Sequence, residues 1–171
     1  MKYINKDTIR SDANNFLEKV FKKLSSDNFL LAKNWHIDHF CFRTSTVENY
    51  QLVKNKLANF SELLIESEVN GRPISTFKLD SPIIVDDWEI DLIEVPAPTI
   101  GKTVADGFEH IEVVCDLTFG EIKNRYSKYD FNESGLSKDF NQELEISFDD
   151  FALKFHHLSL ESVINIEKNQ I

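Results

Sequence analysis

Hydrophobic residues recur every three or four positions near the start of the chain. They lie on one face of a 3.6-residue period and are Phe16, Leu17, Val20, Phe21 and Leu24. This spacing predicts a helix over residues 14–31, with Ser11 or Asp12 as its N-cap and Ser25-Ser26-Asp27 as a candidate interruption before Phe29. Residues 1–34 are therefore expected to form an N-terminal helical segment.

Beyond this segment, short runs rich in β-branched and aromatic residues are separated by polar turns, and one order of elements occurs twice. Residues 35–100 are predicted to contain strands at 37–43, 62–69, 72–79 and 88–95, and a helix from Val47 to about Asn59. Residues 101–171 are predicted to contain strands at 108–115, 143–148 and 151–157, and helices at 117–129 and 159–166. Both blocks have the order β-α-β-β-β, although a second strand within 132–141 is not determined in the later block.

The repeated order predicts the α+β class, in which paired βαβββ modules form an open mixed β-barrel within one domain of 171 residues. Each module contains one predicted hairpin. Asn70-Gly71 supplies the two positive-φ residues of a type I′ turn, and Asp149-Asp150 separates the last two predicted strands. The hydrophobic fraction of 42%, with 14 Phe, is sufficient for a packed core.

Charge and composition limit the classes of partner. The net charge of −10 disfavours binding to nucleic acid through phosphate neutralisation. There is no apolar N-terminal signal and no run of about 18 apolar residues, so a cytoplasmic protein without a membrane segment is expected. Cys41 and Cys115 lie in predicted strands and are expected to be free thiols. The sequence leaves the oligomeric state open.

Two histidines occupy matching positions at the start of the first strand of each block, 71 residues apart. Because side chains alternate along a strand, His39 shares a face with Cys41 and Arg43, and His110 shares one with Glu112. A lone histidine in a strand is usually structural, whereas a matched pair favours a metal site.

The last strand of each block offers a second candidate metal ligand. Glu94 shares a strand face with Ile90 and Leu92, and His156 shares one with Lys154. Three imidazoles and one carboxylate suit a divalent ion such as Zn, Ni, Co, Mn or Fe(II). The predicted ligands are His39, Glu94, His110 and His156. His157 is the alternative for the fourth.

Several neighbouring residues allow two interpretations. Glu112 is either the catalytic general base beside the metal or a partner that orients a ligand histidine. Cys41 is favoured as a small core residue over a ligand or reactive thiol. Arg43 and Arg72 either form surface ion pairs or bind an anionic small-molecule substrate, because a guanidinium grips a carboxylate with two hydrogen bonds.

Five short runs, taken together in their order and spacing, resemble a known superfamily. The runs are His36-Ile37-Asp38-His39 with Arg43, residues 70–74, residues 93–98, residues 107–112 and Lys154-Phe155-His156. They resemble the vicinal oxygen chelate superfamily, which includes glyoxalase I, extradiol dioxygenases and bleomycin-resistance proteins, and within it the YecM-like family. The resemblance implies paired βαβββ modules with metal ligands on the first and last strands of each. Many members of the superfamily have Glu where this chain has His156.

The predicted function is a metalloenzyme that uses its ion as a Lewis acid on a small anionic, oxygen-chelating substrate, in isomerase, lyase or dioxygenase chemistry. The alternative is a non-catalytic protein that sequesters a small ligand, as bleomycin-resistance proteins do. A Gly-rich phosphate loop, a Ser nucleophile elbow and a Cys-x-x-Cys motif are all absent from the sequence, so hydrolases and nucleotide enzymes have no support.

Overall fold

The structure, a computed structural model, describes residues 4–169, in which helices and strands follow the predicted order. The N-terminal helix α1 spans Lys6–Ser26. The first module consists of β1 (His36–Arg43), α2 (Val47–Leu57), β2 (Ser61–Val69), β3 (Arg72–Val85) and β4 (Trp88–Pro96). The second consists of β5 (Gly107–Val114), α3 (Phe119–Arg125), β6 (Phe131–Asn132), a 3-10 turn (Ser134–Ser137), β7 (Leu144–Ser147) and β8 (Ala152–His156), followed by α4 (Leu160–Asn169).

The strands belong to a mixed sheet that is not closed, and the predicted α+β class is confirmed. The chain divides into two compact units, of which the first contains residues up to 19 and 39–109, and the second contains 20–38 and those from 110 onward. The strand order is β2-β3-β4-β1 for the first module and β5-β8-β7-β6 for the second. Each module pairs its first strand in parallel with its fourth, and its other pairs are antiparallel.

The N-terminal helix begins earlier than predicted and ends within the interruption that the sequence indicated at Ser25-Ser26-Asp27. It begins eight residues before Asn14, because the side chain of Asn5 accepts a hydrogen bond from the Thr8 backbone N–H at 2.9 Å. The predicted caps Ser11 and Asp12 are therefore wrong. The helix ends at Ser26 because Asn28 has a φ of 53°, which an α-helix cannot continue through.

The β2–β3 hairpin confirms the predicted turn, since Asn70 and Gly71 have φ angles of 53° and 75°. The following strand is longer than the sequence predicted, because Ile83 to Val85 resume pairing with β4 after a register shift. Pro82 lies within that shift, where the backbone N–H that proline lacks is not required for the ladder.

Aromatic packing fills the core of each unit. In the first unit the Phe108 ring lies 5.2 Å from Phe40 and 5.1 Å from Phe42. In the second unit Phe29 stacks on Tyr126 at 3.9 Å between ring centroids. Such rings bury large apolar areas, so they anchor the strands that carry the polar residues described next.

Candidate metal centre

Strands β5 and β8 bring the polar residues of the second unit onto one face. Their parallel register pairs Glu112 with Lys154 and Val114 with His156. Because alternate residues share a face, His110, Glu112 and His156 all lie on the same side. All three are buried, with exposed fractions of 4%, 7% and 1%. Buried polar groups of this kind need partners or a bound ion.

Glu112 contacts both histidines through different oxygens. Its Oε1 lies 3.0 Å from His110 Nε2, and its Oε2 lies 3.3 Å from His156 Nε2. A carboxylate has about four acceptor sites, so it can serve two imidazoles at once. The sequence predicted that His110 and Glu112 share a face. The contact between Glu112 and His156 depends on strand pairing and was not predicted.

The other ring nitrogen of His156 determines what its Nε2 can do. His156 Nδ1 lies 2.5 Å from the backbone oxygen of Leu158, and a carbonyl oxygen can only accept, so Nδ1 carries a proton. In a neutral ring, Nε2 then presents its lone pair towards the Glu112 carboxylate. Two acceptors facing each other repel, and a cation between them removes the repulsion. That cation is either a proton on Nε2 or a metal ion.

Lys154 completes the charge balance of the cluster and was given no role by the sequence. Its Nζ lies 3.2 Å from Glu112 Oε1 and 3.4 Å from Glu143 Oε1, with 16% of the side chain exposed. The signal that could have identified it was its position in β8, two residues before His156 on the same face. The ammonium stabilises the ionised form of Glu112.

His157, the alternative fourth ligand, lies elsewhere in the second unit. Its Nε2 is 2.9 Å from the Leu117 carbonyl oxygen, and its ring packs 4.4 Å from that of Phe119. It is exposed, whereas His156 is buried. The strand alternation that separates the two neighbours therefore directs His156, and not His157, towards Glu112.

In the first unit, His39 and Glu94 lie on adjacent parallel strands. The register pairs His39 with Leu92 and Cys41 with Glu94, so all four side chains share a face. His39 and Cys41 are buried, but Glu94 is only half-buried, which is less than the sequence suggested. Among the described residues, the side chains that could hold a metal ion are Asp38, His39, Cys41, Glu94, Glu109, His110, Glu112 and His156.

Three other residues considered in the sequence analysis form hydrogen bonds or ion pairs with their neighbours. Asp38 is buried, and its Oδ2 accepts from the backbone N–H of Leu160 at 2.9 Å, at the start of α4. Arg43 Nε lies 3.0 Å from Glu109 Oε2, the ion pair that the sequence left open. Arg72 Nη1 donates to the Ala97 carbonyl at 2.7 Å.

A cavity of about 650 Å³ also lies in the first unit, beside the first half of α1. Phe16, Phe42 and Phe108 form its aromatic part, and Asp12 and Lys19 contribute charge. Cavities of roughly 300–1,000 Å³ are typical of small-molecule sites. Residues 4–169 contain no helix that is both long enough and apolar enough to span a membrane.

Comparison with known proteins places these features in a family. A family model described as YecM protein matches residues 5–167. Protein YecM of Escherichia coli strain K12 is 28% identical over 150 residues, covering 78% of both chains.

Solved structures match the fold as well. The structure described as "Structural Genomics, Protein EC4020" has a TM-score of 0.77 and 26% identity, covering 94% of this chain and 92% of its own. Hypothetical protein BH1468 from Bacillus halodurans C-125 has a TM-score of 0.52 and 12% identity, covering 74% of this chain and 96% of its own. The first confirms the α+β fold over nearly the whole chain, and the second shows a similar fold only.

Proposed function

This chain belongs to the YecM family, and we propose that it is a divalent-metal-binding protein that acts on a small anionic substrate able to chelate the ion through oxygen. The observation that carries the proposal is the His156 ring. Its Nδ1 is held by the Leu158 carbonyl, and its Nε2 lies 3.3 Å from Glu112. Histidine ligands commonly donate their second ring N–H to a backbone carbonyl, which fixes the tautomer that binds metal.

The residues fit such an ion by the chemistry of their donors. His39, Glu94, His110 and His156 are the proposed ligands. Neutral imidazoles and a carboxylate suit Zn, Ni, Co, Mn or Fe(II). If His110 Nε2 donates its proton to Glu112, its Nδ1 keeps the lone pair that a metal ion requires.

When bound, the ion would supply Lewis-acid polarisation of a substrate oxygen, which serves isomerase, lyase or dioxygenase chemistry. Glu112 is the proposed catalytic base. The Lys154 ammonium lies 3.2 Å from its Oε1 and favours the carboxylate form, which can accept a proton. The same carboxylate orients His110 through the 3.0 Å contact, so the two roles suggested for Glu112 are compatible.

A second function, sequestering a small ligand without chemistry, is supported by the cavity of about 650 Å³. Its volume and its three phenylalanine rings suit a compact organic molecule. The two functions differ in their dependence on Glu112. Glu112→Gln should abolish turnover in an enzyme while metal remains bound, whereas a sequestering protein should bind its ligand almost unchanged.

The test is metal titration of the full chain, purified without a His tag and stripped with chelator. We expect His156→Ala to weaken binding of Zn(II) or Mn(II) by at least about 100-fold, because a ligand contributes more than the 10–100-fold of an outer contact. His157→Ala, the neighbouring histidine, is the matched control and should bind as wild type. Absence of binding by wild type, or equal losses in both variants, would reject the metal site.

A further inference from the structure

A second and smaller cavity lies wholly in the first unit. Its volume is about 110 Å³, and its walls come from the end of β1, the start of β3 and the loop after β4. Hydrogen bonds fix these walls to one another. Thr44 Oγ1 donates to the Pro96 carbonyl at 2.8 Å, and the Ala97 backbone N–H donates to the Pro73 carbonyl at 2.9 Å. The cavity is therefore built from paired segments and is more than a gap beside a loose loop.

The charge of this cavity is opposite to that of the chain. Arg43, Arg72 and Lys102 line it, and none of the described residues lining it is acidic. The whole chain carries 29 acidic and 19 basic residues, for a net charge of −10. Three cations around one small cavity repel each other, and an anion bound among them would relieve that repulsion.

Each cation retains hydrogen-bonding capacity for a ligand. Arg43 pairs with Glu109 through Nε, and Arg72 donates one Nη1 bond to the Ala97 carbonyl. A guanidinium has five N–H donors, so neither contact exhausts the group. Within residues 4–169, the ammonium of Lys102 makes no ion pair or hydrogen bond. Glu109 compensates part of the charge of Arg43, which leaves Arg72 and Lys102 as the uncompensated cations.

We propose that this cavity binds a small oxyanion and that the side chains of Arg43, Arg72 and Lys102 contact it. A volume of 110 Å³ corresponds to the share of about three or four water molecules, at roughly 30 Å³ each. That space suits a phosphate ion or a short carboxylate, and two guanidinium groups recognise such planar or tetrahedral oxygen sets. The inference rests on the proposed function only in treating Arg43 and Arg72 as residues that contact the substrate. Lys102 is a new assignment.

The experiment is an NMR titration of the chelator-treated full chain with inorganic phosphate and, separately, with acetate, at constant ionic strength set by chloride. Backbone amide shifts of residues 97 and 99–104 should saturate with one of the two anions. The anion that binds more tightly identifies the site as one for phosphoryl or for carboxylate groups. Lys102→Gln should weaken binding about tenfold, the loss of one charge-assisted hydrogen bond.

Lys56→Gln is the matched control, because this helix lysine is exposed and lies outside the cavity. It should bind the anion as wild type does. Lack of saturation with either anion, or equal weakening by Lys102→Gln and Lys56→Gln, would overturn the proposal. Metal titration of the wild-type chain separates the two ideas, since normal metal binding by a chain that binds neither anion rejects this cavity alone. Anion binding that persists in His156→Ala, together with lost metal binding, would support both the metal site and the separate anion cavity.

Discussion

The two modules have one backbone plan and different chemistry along it. In both, the first strand pairs in parallel with the fourth, and a histidine begins the polar face. Two residues later the first module has Cys41 opposite Glu94, whereas the second has Glu112 opposite Lys154. His156 lies two residues after Lys154 on the same strand face, opposite Val114. The repeat of elements therefore does not repeat the ligand positions.

This difference shows how charge is balanced in each module. On this face the first has the half-buried acid Glu94 beside the buried thiol of Cys41. The second has two imidazoles, a carboxylate and an ammonium within 3.3 Å of a neighbour, all on a largely buried face. Buried charges are tolerated only when paired, so the second module depends on its own contacts for stability as well as for any function.

The largest expected effect follows from that dependence. Lys154→Ala, measured without metal, should lower the free energy of unfolding by about 3 kcal/mol, because it leaves the buried Glu112 carboxylate without its cation. Arg43→Ala removes the more exposed Arg43–Glu109 pair of the first unit and should cost less than about 1 kcal/mol. Urea denaturation of both variants gives the comparison. Equally small losses in the two variants would show that the second unit does not depend on its charge pairing.

A smaller effect should distinguish the first unit by its response to acid. The ion pair with Lys54, aided by the Tyr50 hydroxyl 2.5 Å away, lowers the pKa of Glu66 to about 2 from its ordinary 4.5. A lowered carboxyl pKa contributes stability above pH 4.5 that is lost as the pH falls towards 2. Glu66→Gln should flatten the unfolding free energy in that window.

Glu68→Gln serves as the control for this measurement, because Glu68 is an exposed acid on the same strand. It should leave the acid dependence as in wild type. Equal flattening by both variants, or none by Glu66→Gln, would show that the network of Tyr50, Glu66 and Ser75 does not couple to folding.

The sequence predicted the features that depend on neighbouring residues. Strand alternation correctly placed His110 with Glu112, and the turn residues Asn70 and Gly71 correctly marked a hairpin. The undetermined second strand of the later module is only two residues long, Phe131–Asn132, which is too short for a hydrophobic period to reveal. Helix α1 begins at a cap formed by Asn5 and Thr8, which come earlier in the sequence than the regularly spaced apolar residues that predicted the helix.

Register and distant contacts could not be predicted in this way. Nothing near Lys154 in the sequence indicates that it lies opposite Glu112, since that depends on how β8 pairs with β5. The contact between Asp38 and the Leu160 backbone N–H joins residues 122 positions apart. The half-burial of Glu94 likewise depends on its surroundings in the folded chain, and its apolar neighbours along the strand suggested deeper burial.

The most direct test of the proposed metal centre is nitrogen-15 NMR of the histidine rings before and after addition of Zn(II). We predict that Nδ1 of His156 stays protonated while its Nε2 shifts to the range of a metal-bound nitrogen. One ring nitrogen of His39 and one of His110 should shift in the same titration, and His157 should not change. Ring signals of His39, His110 and His156 that remain unaltered at saturating Zn(II) would contradict the metal centre.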